Sequence, residues 1–143
     1  EALAEALAPL AQTVTVPDAP EELELERKRH LRSEITATLH DTTTPLEVLN
    51  ALHPTPAVGG TPTNAARAFI REHEAFDRGW YAGPVGWMSR ENAEVLVAIR
   101  SALVNRDTLT LYSGAGIVEG SDPAAEWDEI ENKLADFKAA LER

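Results

Sequence analysis

Glu126 and Glu129 stand three residues apart in a stretch of helical periodicity, and Lys133 follows Glu129 by four, so the three side chains share one helix face. On spacing alone they describe a solvated charged face with an ordinary ion pair. Arg100 is a different case: Val97, Ala98 and Ile99 precede it in a run of strand character, a costly place for a charge that has no partner. The segment Ser113-Gly114-Ala115-Gly116 lets the main chain come close to a ligand and present an N–H to an anionic oxygen; it would equally serve a tight strand-to-helix turn. Tyr81, taken alone, is a core aromatic. His30, taken alone, is a surface or structural histidine, and His40, His53 and His73 have weaker cases. The absence of cysteine removes thiolate nucleophiles, disulfides and zinc-thiolate sites together.

The elements that must hold these residues can be read from periodicity. The opening EALAEALAPL places Leu3, Leu7 and Leu10 on one helix face with no capping residue before them, which suggests a truncated or processed polypeptide. Residues 13–26 contain Pro17, Pro20 and an acidic run and read as an exposed connection. Leu31, Ile35, Ala37 and Leu39 suggest a half-buried strand over 30–39. Thr44-Pro45-Leu46-Glu47 is a capping box with proline at the first helical position, opening a helix through Leu52. A second helix is expected from Thr61-Pro62 to Glu74, with Gly59-Gly60 at the sharp turn before it. Three runs, 80–88, 94–103 and 108–113, predict an antiparallel meander. Asp122 and Pro123 open a long final helix whose apolar face is Trp127, Ile130, Leu134, Phe137 and Leu141.

A chain of 143 residues with 43% hydrophobic side chains suffices for one modest domain. Its net charge of -11 disfavours nucleic acid and an anionic membrane surface as partners, while local cations can still hold a small dicarboxylate. No apolar run approaches the roughly 18 residues a membrane span requires, and the N-terminus lacks a secretion signal. The expected location is cytoplasmic.

Two segments exceed generic turn chemistry: LHPTPAVGGTP over Leu52–Pro62 and GAGIVEGSDPAAEW over Gly114–Trp127. Between them lie RGWYAGPVGW, Arg78–Trp87, and VAIRSAL, Val97–Leu103. In order and spacing these four segments resemble the chorismate-utilising enzymes, over nearly the whole span from His30 to Lys133. His53-Pro54-Thr55-Pro56-Ala57 follows the pattern of isochorismate synthases, where anthranilate and aminodeoxychorismate synthases carry FPAG or FPGG. The wording is closest to menaquinone-pathway members, with siderophore-pathway enzymes as rivals.

The resemblance implies an α+β fold, an antiparallel sheet with packed helices, with residues 1–143 forming the C-terminal part of a chorismate-binding domain. It implies Mg²⁺ as cofactor, held by Glu129 and, directly or through water, by Glu126; hard oxygen ligands suit that ion. Arg100 would grip the enolpyruvyl carboxylate of chorismate in two-point fashion. Tyr81 would lie along the substrate side chain, Gly114 would offer its N–H to a carboxylate oxygen, Lys133 would stand near that carboxylate, and His30 near the departing ring substituent. Ala57 occupies a position where salicylate synthases of the family carry threonine. No catalytic residue is assigned in this chain: the family's base lysine and acid glutamate are expected upstream, in a missing N-terminal half. Exposed apolar surface would then favour self-association. A salicylate synthase and a non-catalytic chorismate-binding module are the alternatives, and an upstream half bearing the lysine and glutamate would exclude the second.

Overall fold

Hydrogen bonding along this chain is mostly local. The computed structural model describes residues 1–25 and 28–141, without the side chains of residues 24, 25, 28–30, 136 and 141. Helices and two-stranded antiparallel ladders together give an α+β fold. Its residues group into two units: residues 1–55 with Met88–Ala93, and Pro56–Trp87 with residues 94–143.

In the first unit, α1 (Ala2–Leu7) runs through a 3₁₀ turn at Ala8–Leu10, where Pro9 halts the α-helix, into β1 (Ala11–Thr15). β1 pairs antiparallel with β4 (Thr36–Leu39), aligning Val14 with Ala37 and Ala11 with Leu39. β2 (Glu21–Leu25) pairs with β3 (Lys28–Arg32), so that Leu23 faces His30 across the ladder. The expected connection over 13–26 is therefore largely strand, and the expected 30–39 strand is two, interrupted at residues 33–35. The reason is pairing: each half finds a different partner upstream. α2 (Pro45–Leu52) begins as expected: the Thr44 hydroxyl accepts from the Glu47 N–H at 3.3 Å, and Glu47 Oε2 accepts from the Thr44 N–H at 2.8 Å. α1 packs against α2, and Leu7 and Ala11 are buried here.

The second unit begins with the short α3 (Pro56–Gly59) and α4 (Thr63–His73). Gly60 between them has φ +74°, and a Cβ there would stand 2.5 Å from that of Ala66, so both the turn and the close helix approach require glycine. The expected meander resolves into two hairpins of four strands. β5 (Pro84–Met88) pairs with β6 (Ala93–Val97), and β7 (Ser101–Asn105) pairs antiparallel with β8 (Thr108–Tyr112) in register Leu103 to Thr110. Residues 98–100 interrupt the expected 94–103 strand: Ala98 exchanges backbone bonds with Ala82 and Gly83, Ile99 N–H turns back to the Val97 carbonyl, and Arg100 adopts φ +49°. Arg100 thus sits at a break between two strands.

The final helix, α5 (Pro123–Leu141), starts where Asp122 Oδ1 accepts from the Ala125 N–H at 2.9 Å. Ile130, Leu134 and Phe137 are half-buried on the expected face, whereas Trp127 is exposed. Apolar exposure is wide: Trp80 is 89% exposed, and Leu96, Val104 and Ile117 are exposed as well. Among the described residues no helix is long and apolar enough to cross a membrane.

Candidate functional site

A cavity of about 440 Å³ opens within the second unit, lined by residues from six stretches of sequence. Such a volume lies in the usual range for small-molecule sites. α3 contributes Ala57 and Val58, the end of α4 contributes Glu74, and the turn at residues 78–82 contributes Arg78, Tyr81 and Ala82. The break before β7 contributes Ile99 and Arg100, the loop after β8 contributes residues 113–117, and α5 contributes Ile130 and Lys133.

Five residues singled out in sequence therefore meet at one cavity: Ala57, Tyr81, Arg100, Gly114 and Lys133. Among the described residues, three cations, Arg78, Arg100 and Lys133, line the cavity with one carboxylate, Glu74, while Glu129 pairs with Lys133 from outside the lining, in a chain whose overall charge is -11. Local and global charge have opposite sign. Arg78 is paired, with Nε donating to Glu74 Oε2 at 2.7 Å and Nη2 to Oε1 at 2.5 Å. These bonds hold the guanidinium pKa above its ordinary value against the opposing effect of burial. Lys133 Nζ donates to the Gly114 carbonyl at 2.9 Å and pairs with Glu129. Among the described residues, nothing neutralises Arg100, which leaves it available to an anion.

Tyr81 stands on this wall with its ring stacked on Tyr112 at 5.7 Å between centroids and Arg78 on its ring face. Burial pushes its phenol above the ordinary value, and the nearby Arg78 charge only partly offsets that. The hydroxyl is thus held protonated, as a neutral donor, at physiological pH. Gly114 lies against it: a Cβ added there would be 2.6 Å from Tyr81 Oη. The Gly114 carbonyl is turned to Lys133. Ser113 Oγ beside it is buried with no polar partner among the described residues.

Arg100 and Ala82 both line the cavity with positive φ, 49° and 62°, although neither is glycine. That conformation is uncommon for residues with a Cβ, and such outliers concentrate at working sites.

The remaining expected residues lie elsewhere. Glu126 and Glu129 are on α5 outside the cavity lining; Glu126 Oε1 accepts from the Ser121 hydroxyl at 2.7 Å. Their chemistry fits Mg²⁺, which takes one or two protein carboxylates and fills its octahedron with water and substrate oxygens. Among the described residues no group of three or more histidine, aspartate or glutamate side chains could hold a metal, so these two alone make an incomplete set. His30 lies in β3 of the first unit, and its side chain is outside the described residues. His73 stacks on Phe69 and its Nδ1 lies 2.9 Å from the Phe69 carbonyl oxygen, a local helix contact.

Sequence reasoning passed over Arg78 and Glu74. Both lie past the end of α4 in non-helical chain, where four-residue spacing does not by itself bring two side chains together, so no local signal marks them as a pair.

Comparison with known proteins bears on this geometry. The profile of a family described as chorismate binding enzyme matches residues 1–142. The chain is 47% identical over 142 residues to the salicylate biosynthesis isochorismate synthase of Pseudomonas aeruginosa, a match covering 99% of this chain and 30% of that protein. A solved Bacillus anthracis structure, described as a 2,3-dihydroxybenzoate-specific isochorismate synthase, superposes with a TM-score of 0.91 at 42% identity, over 98% of this chain and 38% of that one. Anthranilate synthase component I of Streptococcus pneumoniae superposes with a TM-score of 0.77 at 27% identity, over 90% of this chain and 30% of that one. The chain thus spans well under half the length of these relatives.

Proposed function

We propose, from the premise that this chain belongs to the chorismate binding enzyme family, that it supplies the substrate wall of an isochorismate synthase, which isomerises chorismate to isochorismate with Mg²⁺. The observation that carries the proposal is the cationic cavity that joins Ala57, Tyr81, Arg100, Gly114 and Lys133 in an acidic chain.

Chorismate and isochorismate are dicarboxylates that differ in the ring position of a hydroxyl, so the enzyme must hold two carboxylates while water enters and the original hydroxyl leaves. Arg100 is the cation for the enolpyruvyl carboxylate: its planar guanidinium matches two oxygens at once, and no competing carboxylate neutralises it among the described residues. Lys133 is held at the same wall by the Gly114 carbonyl, where its charge assists the second contact. Gly114 leaves the main chain open to an acid oxygen. Tyr81 lies along the substrate as a protonated donor. Mg²⁺, held by Glu129 and Glu126, would neutralise the ring carboxylate and orient it. The base that activates water and the acid that protonates the departing hydroxyl lie outside these 143 residues.

Ala57 favours stopping at isochorismate, because its methyl offers no hydroxyl to orient water or the enolpyruvyl group for pyruvate elimination. The test is product analysis of the intact polypeptide given chorismate and Mg²⁺ at neutral pH. Isochorismate is the expected product; salicylate with pyruvate, or no consumption of chorismate, would overturn the reading. The 143-residue chain alone should convert no chorismate under saturating Mg²⁺. Turnover by it would show that its own residues supply the acid and base.

A further inference from the structure

Arg78 joins three parts of the cavity wall. Its Nε and Nη2 grip both oxygens of Glu74 at the end of α4, and its Nη1 donates to the Val58 carbonyl at 3.0 Å, next to Ala57. Its guanidinium carbon lies 5.9 Å from the Tyr81 ring centroid, within cation–π reach. The Tyr81 N–H returns a bond to the Arg78 carbonyl at 2.8 Å. One half-buried side chain therefore links α3, α4 and the tyrosine turn, and Glu74 absorbs its charge. A cation so engaged is poorly placed to take an anionic ligand, whereas Arg100 on the same cavity has no such partner among the described residues.

We propose that Arg78 is a positioning residue: it fixes Tyr81 and the Ala57–Val58 turn against each other and governs ligand affinity through them. This rests on the chorismate reading above. Planarity matters here. A lysine carries the charge but cannot reach two carboxylate oxygens and a carbonyl from one rigid group.

Removing Arg78 alone strands the half-buried Glu74 carboxylate, so the single variant confounds stability with positioning. Replacing both partners by apolar side chains of similar size removes the stranded charge without restoring the link. The test therefore measures melting temperature, kcat and KM for chorismate in the intact polypeptide as wild type, Arg78→Lys, Arg78→Met and Arg78→Met with Glu74→Leu. In the double variant the melting temperature should recover towards wild type while KM stays raised on the order of tenfold, with kcat changed far less. Arg78→Lys should share the raised KM. In a Tyr81→Ala background the same pair of substitutions should raise KM by a clearly smaller factor, because only the Val58 arm of the link is then left to lose.

A KM that recovers together with the melting temperature would reduce Arg78 to a structural role and overturn the proposal. So would full rescue by lysine, or an equal rise in the Tyr81→Ala background, which would mean direct contact with the ligand. If Arg78→Met does not fold, the double variant decides. A wild-type protein that consumes no chorismate would overturn the functional reading and this inference with it, an outcome visible before any variant is compared.

Discussion

Substituting alanine for Gly114 should collide with one atom. The new methyl would stand 2.6 Å from Tyr81 Oη, with Cζ next at 3.8 Å. The closer contact is short of van der Waals separation by roughly 0.5–1 Å. A terminal hydroxyl often escapes such a clash by swinging away, but Tyr81 is held by the Tyr112 stack and by Arg78. Overpacking of this kind costs about 1–3 kcal/mol. Alanine also stiffens the unfolded chain, a gain of about 0.4–1 kcal/mol that accompanies the substitution whatever its neighbours. A double-mutant cycle with Tyr81→Phe cancels that term. With the oxygen gone, the nearest atom is at ordinary contact distance, so Gly114→Ala should become far less harmful and a coupling of about 1–2 kcal/mol should appear. Urea unfolding of the four intact proteins measures it. A Gly114→Ala cost that agrees within about 0.3 kcal/mol in both backgrounds would refute the argument, because the hydroxyl would not be what the methyl meets.

Thr44→Ala removes the hydroxyl that caps α2 and should lower stability by about 1 kcal/mol in thermal or urea unfolding. Bonds from the Thr44 backbone and hydroxyl hold Glu47 below its ordinary 4.5, so its contribution is present above that value and is lost as pH falls through the lowered one; a Glu47→Gln protein should show a correspondingly weaker acid dependence. Tyr81 has the opposite sign. Its folded value lies above the ordinary 10.0, so its contribution is intact below that pH and declines as pH rises through the raised value, a loss that Tyr81→Phe should abolish in alkaline unfolding curves. Glu129→Gln keeps the side-chain shape and removes the charge, so the intact polypeptide should lose Mg²⁺-dependent turnover by at least about a hundredfold while its fold persists; unchanged Mg²⁺ dependence would remove Glu129 from the metal site.

The sequence disclosed those elements whose signals are local. Thr44 with Glu47, and Asp122 before Pro123, carry their own hydrogen-bond partners within one turn, and both helices begin where those residues place them. β1 escaped notice because its ladder depends on a partner far along the chain: Val14 is strand because Ala37 lies opposite, and nothing near Pro17 announces that. β2 pairs with the adjacent β3, but its run of glutamates reads as a solvated loop. Arg100 illustrates a second limit. Its residue type and apolar neighbours argue for a continuous strand, while its positive φ follows from backbone bonds between residue 98 and residues 82–83. Ala57, Tyr81, Arg100, Gly114 and Lys133 became legible as one group through motif resemblance, and the cavity joins them. The Arg78 link did not, because its value lies in contact with Val58, twenty residues earlier.

Each ladder here has two strands. Along an antiparallel strand, successive amides point alternately toward the partner and away from it, so a lone ladder bonds only every second N–H. Deuterium uptake across Ser101–Asn105 and Thr108–Tyr112 should therefore alternate between slow and fast from one residue to the next. A third strand laid along either outer edge would slow the fast set and leave the other unchanged. Read residue by residue in the intact polypeptide, this alternation becomes a gauge of which strand edges are covered, and it requires no substrate to be present.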